Sequence, residues 1–452
     1  MKHQFTARKP FFFALAGAIF VACSPDVAIA PNDADYVSPF ERGVQLDLVN
    51  PGESEPFVPL ASSAACVVGG KAEQIELPPG YVQTVIAREG SGLLDNADMH
   101  TLNETGPQKG RFLYRTHENG SNAGVSVTDL ETGLSRVLAQ RADWERFDGI
   151  VWTPWGTILA SEETDPSVAK DPTLPNSVGG HVYEIDPNTG AATARGAVGS
   201  RSHEGLRFDK QGNLYGISEA GPGFIYKFVP DRAHDLSSGQ LYALKIVDDQ
   251  GDRTGVGEWV ALDRDAVVIN SQTEAQVKGA TGYARPEDIE IGTSTGNDLR
   301  GNHVLYVAVT GEDRVLAIDL APQNQPRGRV VVSDYVRDGV NAPADFDLPD
   351  NLALDQHGNL YITEDPGGSA PSKTLGDDVW FAPFNPRSAT QSLPIRRFFS
   401  ITDCNAEPTG IYVSPSGKTL FVDVQHRGGS DPRDLSIAIT RMQDHSFQRS
   451  PR

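Results

Sequence analysis

The residues that could do chemistry are acids that come in pairs, one just before an apolar strand pattern and one at the end of the next. The first set is Asn96 or Asp98, Asp148, Glu204, Glu287, Asp350 with Asn351, and Glu407. The second is Glu118, Glu162 with Glu163, Glu219, Glu312, Glu364 with Asp365, and Asp423 with His426. Carboxylates brought together in such number repel, so at neutral pH they either take up protons or bind cations. Hard oxygen donors suit Ca²⁺, which accepts about six to eight of them. Carboxylates with an occasional His or Tyr also accept Fe or Mn. Any one of these acids alone is more often a solvated residue at a strand end than a ligand; the signal is the recurrence.

The element that positions each pair is a β-hairpin. The clearest runs from His203 to Glu219. Leu206 and Phe208 alternate on one strand, Gln211-Gly212-Asn213 supply the turn, and Leu214, Tyr215 and Ile217 form the return. The two open ends of a hairpin are neighbours, which places Glu204 beside Glu219. Similar units recur around Asp148, Glu287, Asp350 and Glu407, with a looser copy around Asp98. Between them lie further strand patterns, such as Val182–Asp186, Phe224–Val229, Val315–Asp319 and Val379–Ala382. Each unit therefore supplies about four strands. The predicted fold is all-β: a single β-propeller of six blades, each of four antiparallel strands, with rim insertions at 164–178, 231–283 and 366–377. The looser first and fourth copies leave five or seven blades open. In a propeller the inner strands surround one axis, so both sets of acids are expected at one mouth of its channel.

Composition agrees with a turn-rich β protein: 45 Gly and 31 Pro in 452 residues. The net charge of -21 argues against nucleic acid or an anionic membrane surface as the main partner. Residues 1–30 read as a signal peptide, with Lys2, Arg8 and Lys9 before an apolar run from Phe11 to Ala22 that is short for a membrane span. Phe20-Val21-Ala22-Cys23-Ser24 resembles a lipobox, which makes Cys23 a candidate lipid anchor. The expected location is outside a bacterial cytoplasm: periplasmic, anchored to the outer membrane, or secreted. Residues 31–75 read as linker and N-terminal arm, 76–430 as the propeller, and 431–452 as a polar tail. Cys66 and Cys404 are either a disulfide between the arm and the last repeat or two separate buried thiols.

In order along residues 80–428, the chain resembles the PhoX-type alkaline phosphatase family. The elements are Thr116-His117-Glu118, Thr153-Pro154-Trp155-Gly156-Thr157 leading to Glu162-Glu163, and Ser202-His203-Glu204. They continue with Tyr226-Lys227-Phe228-Val229-Pro230 before Leu241-Tyr242-Ala243-Leu244-Lys245, then Arg285-Pro286-Glu287, Pro349-Asp350-Asn351 and Leu420–His426. The resemblance implies an exported six-bladed propeller that hydrolyses phosphate monoesters with calcium and iron held by inner-strand carboxylates. It makes Glu118, Glu162, Glu163, Glu204, Glu287, Asp350, Glu364 and Glu407 candidate metal ligands or their supports; Asp148 is a further candidate ligand, at a place where the chain departs from the family. Arg201 and Arg285 stand beside acidic positions and are the candidates for holding phosphate oxygens, because the guanidinium fork matches them. The larger phosphatases carry a cysteine iron ligand a few residues before Thr-Pro-Trp-Gly; here Asp148 stands at that place. This favours Ca²⁺ over Fe³⁺.

The expected activity is a metal-dependent phosphomonoesterase acting on a small phosphorylated substrate as a monomer. Two alternatives stay open. Pro349–Asp355 followed by Gly358-Asn359-Leu360-Tyr361 also looks like calcium-dependent lactonase propellers, and a calcium-stabilised surface propeller without catalysis fits the same acids.

Overall fold

Apolar residues at every second position decide the fold. In Val304–Val309, Tyr306 and Ala308 pack toward Leu352, Ile362 and Trp380, whereas Leu305, Val307 and Val309 pack toward Tyr215, Ile217 and Ile225. One strand thus feeds two cores, which requires sheets stacked on both its faces. The computed structural model describes residues 36–42, 46–49, 56–164, 171–291, 303–322, 328–365 and 373–442. The signal segment and Cys23 lie outside them.

Six hairpins form the inner part of the molecule: Ala97–Leu102 with Phe112–His117, Phe147–Trp152 with Ile158–Glu162, His203–Phe208 with Leu214–Ser218, Pro286–Ile291 with Val304–Val309, Pro349–Leu354 with Leu360–Glu364, and Glu407–Val413 with Thr419–Gln425. The first strand of each lies against the first strand of the next, and that of the sixth lies against that of the first. The architecture is all-β and propeller-like.

The hairpins belong to five sheets rather than six separate ones. The third and fourth share a nine-stranded sheet, because Thr254–Ala261 pairs with Asp235–Gly251 on one side and Arg329–Arg337 on the other. The 231–283 insertion supplies this joining strand. It also supplies the helix Arg264–Lys278, capped by Asp263, whose side chain accepts from the N–H groups of Asp265 and Ala266. No helix among the described residues is long and apolar enough to cross a membrane.

The ring is closed by chain ends. Tyr81–Arg88 pairs with Leu435–Arg441, which pairs with Thr419–Gln425. Part of the segment expected as a polar tail is therefore a strand, because Leu435, Ile437 and Ile439 alternate into the core. Upstream, Leu48, Val49 and Phe57 of the arm are buried in the same core. Ile75–Glu76 adds a fifth strand to the sheet of the fifth hairpin, and Cys66 is joined to Cys404 across 338 residues of sequence.

Candidate metal centre and active site

Every inner hairpin carries a register shift near the start of its first strand. The shifts fall between Ala97 and His100, Phe147 and Ile150, His203 and Leu206, Pro286 and Ile289, Pro349 and Leu352, and Thr409 and Tyr412. A bulge of this kind bends a strand and re-aims a side chain. The re-aimed residues are Asp98, Asp148, Glu204, Glu287, Asp350 and Thr409, and all of them line one small cavity of about 80 Å³. Glu118, Glu163, Glu219, Asp365 and Gln425, from the returning sides of five hairpins, line it too. Glu407 and Arg285 complete the wall.

The cavity therefore gathers ten carboxylates and one arginine. Oxygen atoms of Asp98, Glu118 and Asp148 lie within 4.8 Å of one another, as do those of Glu163, Glu204 and Glu219. Burial, and then the neighbouring carboxylates, push Asp98, Glu204, Glu287, Asp350 and Glu407 well above the usual carboxylate range. The same causes bring Asp148 to about 8 and Glu163 to about 11. Arg285 lies 2.6 Å from Glu219, 2.8 Å from Glu287 and 3.4 Å from Asp365. Burial works against its charge, but these acids outweigh it and hold the guanidinium charged.

The donor set fits a hard cation. Asp98 Oδ1 and Asp148 Oδ1 are buried with no hydrogen-bond donor, the state expected of an oxygen that awaits a cation or a proton. The remaining donors are carboxylate oxygens, the Thr409 hydroxyl and the Gln425 amide, whose nitrogen donates to Glu118 Oε2 at 3.2 Å. Cys66 and Cys404 are tied up in their disulfide, so no described cysteine is free to supply sulfur. His426 stays at the rim, 3.3 Å from Glu407.

Seven of the nine acids singled out in the sequence meet here: Glu118, Asp148, Glu163, Glu204, Glu287, Asp350 and Glu407. Glu162 and Glu364 do not. Each ends the returning strand and points away from the axis, because its neighbour, Glu163 or Asp365, is the one turned inward. Glu162 accepts from the N–H groups of Glu145 and His181, and burial lifts it to about 8. Glu364 accepts from Asp347 N, Asp378 N and Trp380 Nε1. Glu312 repeats the device by accepting from Ala284 N, with Arg253 at 2.8 Å. Each of these three acids holds the backbone just before the first strand of its own hairpin.

Arg201 is also elsewhere. It is fully buried, donates to the carbonyls of Ile217 and Val198, and lies 4.1 Å over the Tyr226 ring. Burial lowers it to about 10. Asp423 is buried against His100 at 2.9 Å. Asn351 sits beneath the cavity, where its side chain donates to Asp350 and accepts from Gly410 N. Thr409 and Gln425 were missed as site residues because neither is acidic. Their equivalence to Asp350 and Asp365 in the aligned hairpins would have found them.

The family model for alkaline phosphatase PhoX matches residues 151–428. The chain belongs to the PhoX alkaline phosphatase family. Among solved structures, Pseudomonas fluorescens PhoX in complex with vanadate, a transition-state analogue, superposes with a TM-score of 0.63 at 21% identity. That match covers 85% of this chain and 97% of the PhoX chain, and the likeness is one of fold. A more remote likeness is to Staphylococcus aureus virginiamycin B lyase, with a TM-score of 0.44 and 11% identity over 80% of this chain and all of that one. No curated protein matches the chain.

Proposed function

We propose that this PhoX-family chain is a metal-dependent phosphomonoesterase acting on small phosphorylated substrates at the carboxylate cavity. The observation that carries the proposal is the convergence of ten carboxylates and Arg285 on one cavity at the centre of the hairpin ring. We read the nine-stranded sheet as two blades joined by Thr254–Ala261, which gives six blades around the axis.

The cluster formed by Asp98, Glu118 and Asp148, and that formed by Glu163, Glu204 and Glu219, would each hold a cation, with Glu287, Asp350, Asp365 and Glu407 completing the shell. Ca²⁺ suits the oxygen donors; iron, if it binds, would do so without a thiolate. Bound cations supply neutralisation of phosphate charge and Lewis-acid polarisation at phosphorus. The chain itself supplies orientation. Arg285 is braced by acids of three hairpins and is 40% exposed, so its planar fork has a free side on which to receive non-bridging phosphate oxygens. The bulged first strands fix the carboxylates before substrate arrives, so little reorganisation is needed at reaction. Export, with or without acylation at Cys23, is part of this reading. A mature N-terminus found by mass spectrometry within residues 20–40 would support it.

The test is elemental analysis of purified protein together with assays on an aryl phosphate and a lactone. Bound calcium with phosphatase activity supports the proposal. A metal-loaded protein that opens the lactone and leaves the aryl phosphate intact would replace it with the lactonase reading.

A further inference from the structure

Arg146 occupies the same place before the second hairpin that Arg285 occupies before the fourth. Each directly precedes a bulged first strand, at Phe147 and Pro286. Both have a left-handed backbone, with φ of 39° and 49°. The backbone partners match. Arg146 N donates to Asn119 O, and Arg285 N to Ala220 O; each acceptor directly follows a cavity acid, Glu118 or Glu219. Arg146 O accepts from Glu163 N, and Arg285 O from Thr310 N. The preceding N–H is held by a buried or half-buried acid in both cases, Glu145 by Glu162 and Ala284 by Glu312. The two arginines therefore stand at the same level of the ring, two hairpins apart.

They differ in what they touch. Arg285 is committed to three carboxylates. Arg146 is exposed, and no carboxylate among the described residues pairs with it. The backbone around Arg146 is held on both sides: Trp144 is buried against Phe147 at 4.7 Å, and Glu162 accepts from the N–H of Glu145. The left-handed backbone recurs at Asn96 and Leu348, before the first strands of the first and fifth hairpins, so it marks the hairpin start; what sets Arg146 apart is the exposed guanidinium it carries there.

We propose that Arg146 is a second substrate-binding arginine, which meets the phosphoryl oxygens from the rim of the ring two hairpins away from Arg285. This rests on the phosphatase reading above. Arg285 then orients the phosphoryl group from within the acid shell, while Arg146, free of internal partners, supplies a charge-assisted contact formed only when the anion is present.

The experiment compares wild-type, Arg146→Ala, Arg146→Lys and, as a distant surface control, Arg387→Ala, each loaded with metal. For Arg146→Ala, KM for an aryl phosphate and the inhibition constant of orthophosphate both rise about tenfold or more, the loss expected of a charge-assisted hydrogen bond. Metal content stays as in wild-type, Arg146→Lys recovers part of the loss, and Arg387→Ala matches wild-type. An active Arg146→Ala enzyme with unchanged KM and unchanged phosphate inhibition overturns the inference and leaves the phosphatase reading standing. A rise in KM without a change in phosphate inhibition also overturns it, since the contact would then be to the leaving group. Wild-type protein that neither hydrolyses the aryl phosphate nor binds vanadate overturns both.

Discussion

Glu162 and Glu163 are consecutive in the chain and serve opposite sides of it: Glu163 lines the acidic cavity, whereas Glu162 binds the backbone N–H groups of Glu145 and His181. The switch occurs at the end of the ladder, where Phe147 pairs with Glu162 and the next residue turns to the axis.

That division predicts different consequences for the same substitution. Glu163→Gln removes a carboxylate oxygen next to Glu204 and Glu219, so on the proposed function bound metal measured by mass spectrometry and phosphatase turnover should both fall. Glu162→Gln leaves metal content unchanged. It instead turns one acceptor into a donor facing a buried N–H, a loss of about 1–3 kcal/mol of stability, seen as a lower midpoint in denaturant. Equal metal loss in the two variants would refute the division.

Sequence alone exposed the recurrence of the hairpins, because period-2 patterning and Gly-Asn turns are local signals. The turn is explicit in the structure: Asp209 accepts from Gln211 N, Asn213 N and Asn213 Nδ2, and Asp355 does the same for His357 and Asn359. The register of the bulges was not legible. Whether Glu162 or Glu163 faces the axis depends on where the ladder ends, and Arg201 reads in sequence as a neighbour of Glu204 although it folds under Tyr226. Nor could the pattern show that Thr254–Ala261 would join two hairpin units into one sheet, since pairing between distant strands leaves no local mark.

Arg285→Ala should weaken the metal-free protein and disable the loaded one for separate reasons. Without metal, the guanidinium is the only cation lining the cavity among the described residues, beside Glu219, Glu287 and Asp365. Its loss removes the charge that faces Glu219, Glu287 and Asp365, so the thermal midpoint drops in chelator and recovers more than that of wild-type when Ca²⁺ is added. With metal, kcat/KM for an aryl phosphate falls by about a hundredfold or more, in line with losing a preorganised charge at the transition state. An Arg285→Ala protein as stable as wild-type in chelator would show that the acids carry protons rather than charge there.

The Cys66–Cys404 bond should matter to stability and not to the site. It closes 338 residues of chain, but Cys66 N also donates to Thr374 O and Val67 N to Thr402 O, so the arm keeps other attachments. Replacing both cysteines by serine is expected to cost about 2–4 kcal/mol, below the full loop-entropy value. Metal content should not change. Loss of bound metal in the double variant would mean that the arm shapes the cavity.

The metal-free protein should lose stability as pH rises, the reverse of ordinary acid denaturation. Asp148 sits at about 8 and Glu163 at about 11 in the folded chain, and burial pushes Asp98, Glu204, Glu287, Asp350 and Glu407 upward as well. In the unfolded chain such groups titrate near about 4. Between these limits the folded state binds more protons than the unfolded one, so the free energy of unfolding decreases with pH. The decline begins just above pH 4 and continues through pH 8. Cations that replace the protons reverse it, and they compete better as the protons leave. Thermal melts in chelator at pH 5, 6.5 and 8 should therefore show a falling midpoint, and saturating Ca²⁺ should raise the midpoint more at pH 8 than at pH 5. A chelated protein that gains stability across that range would show that the carboxylates are held as anions by groups of the chain itself, and the cavity would then need no metal.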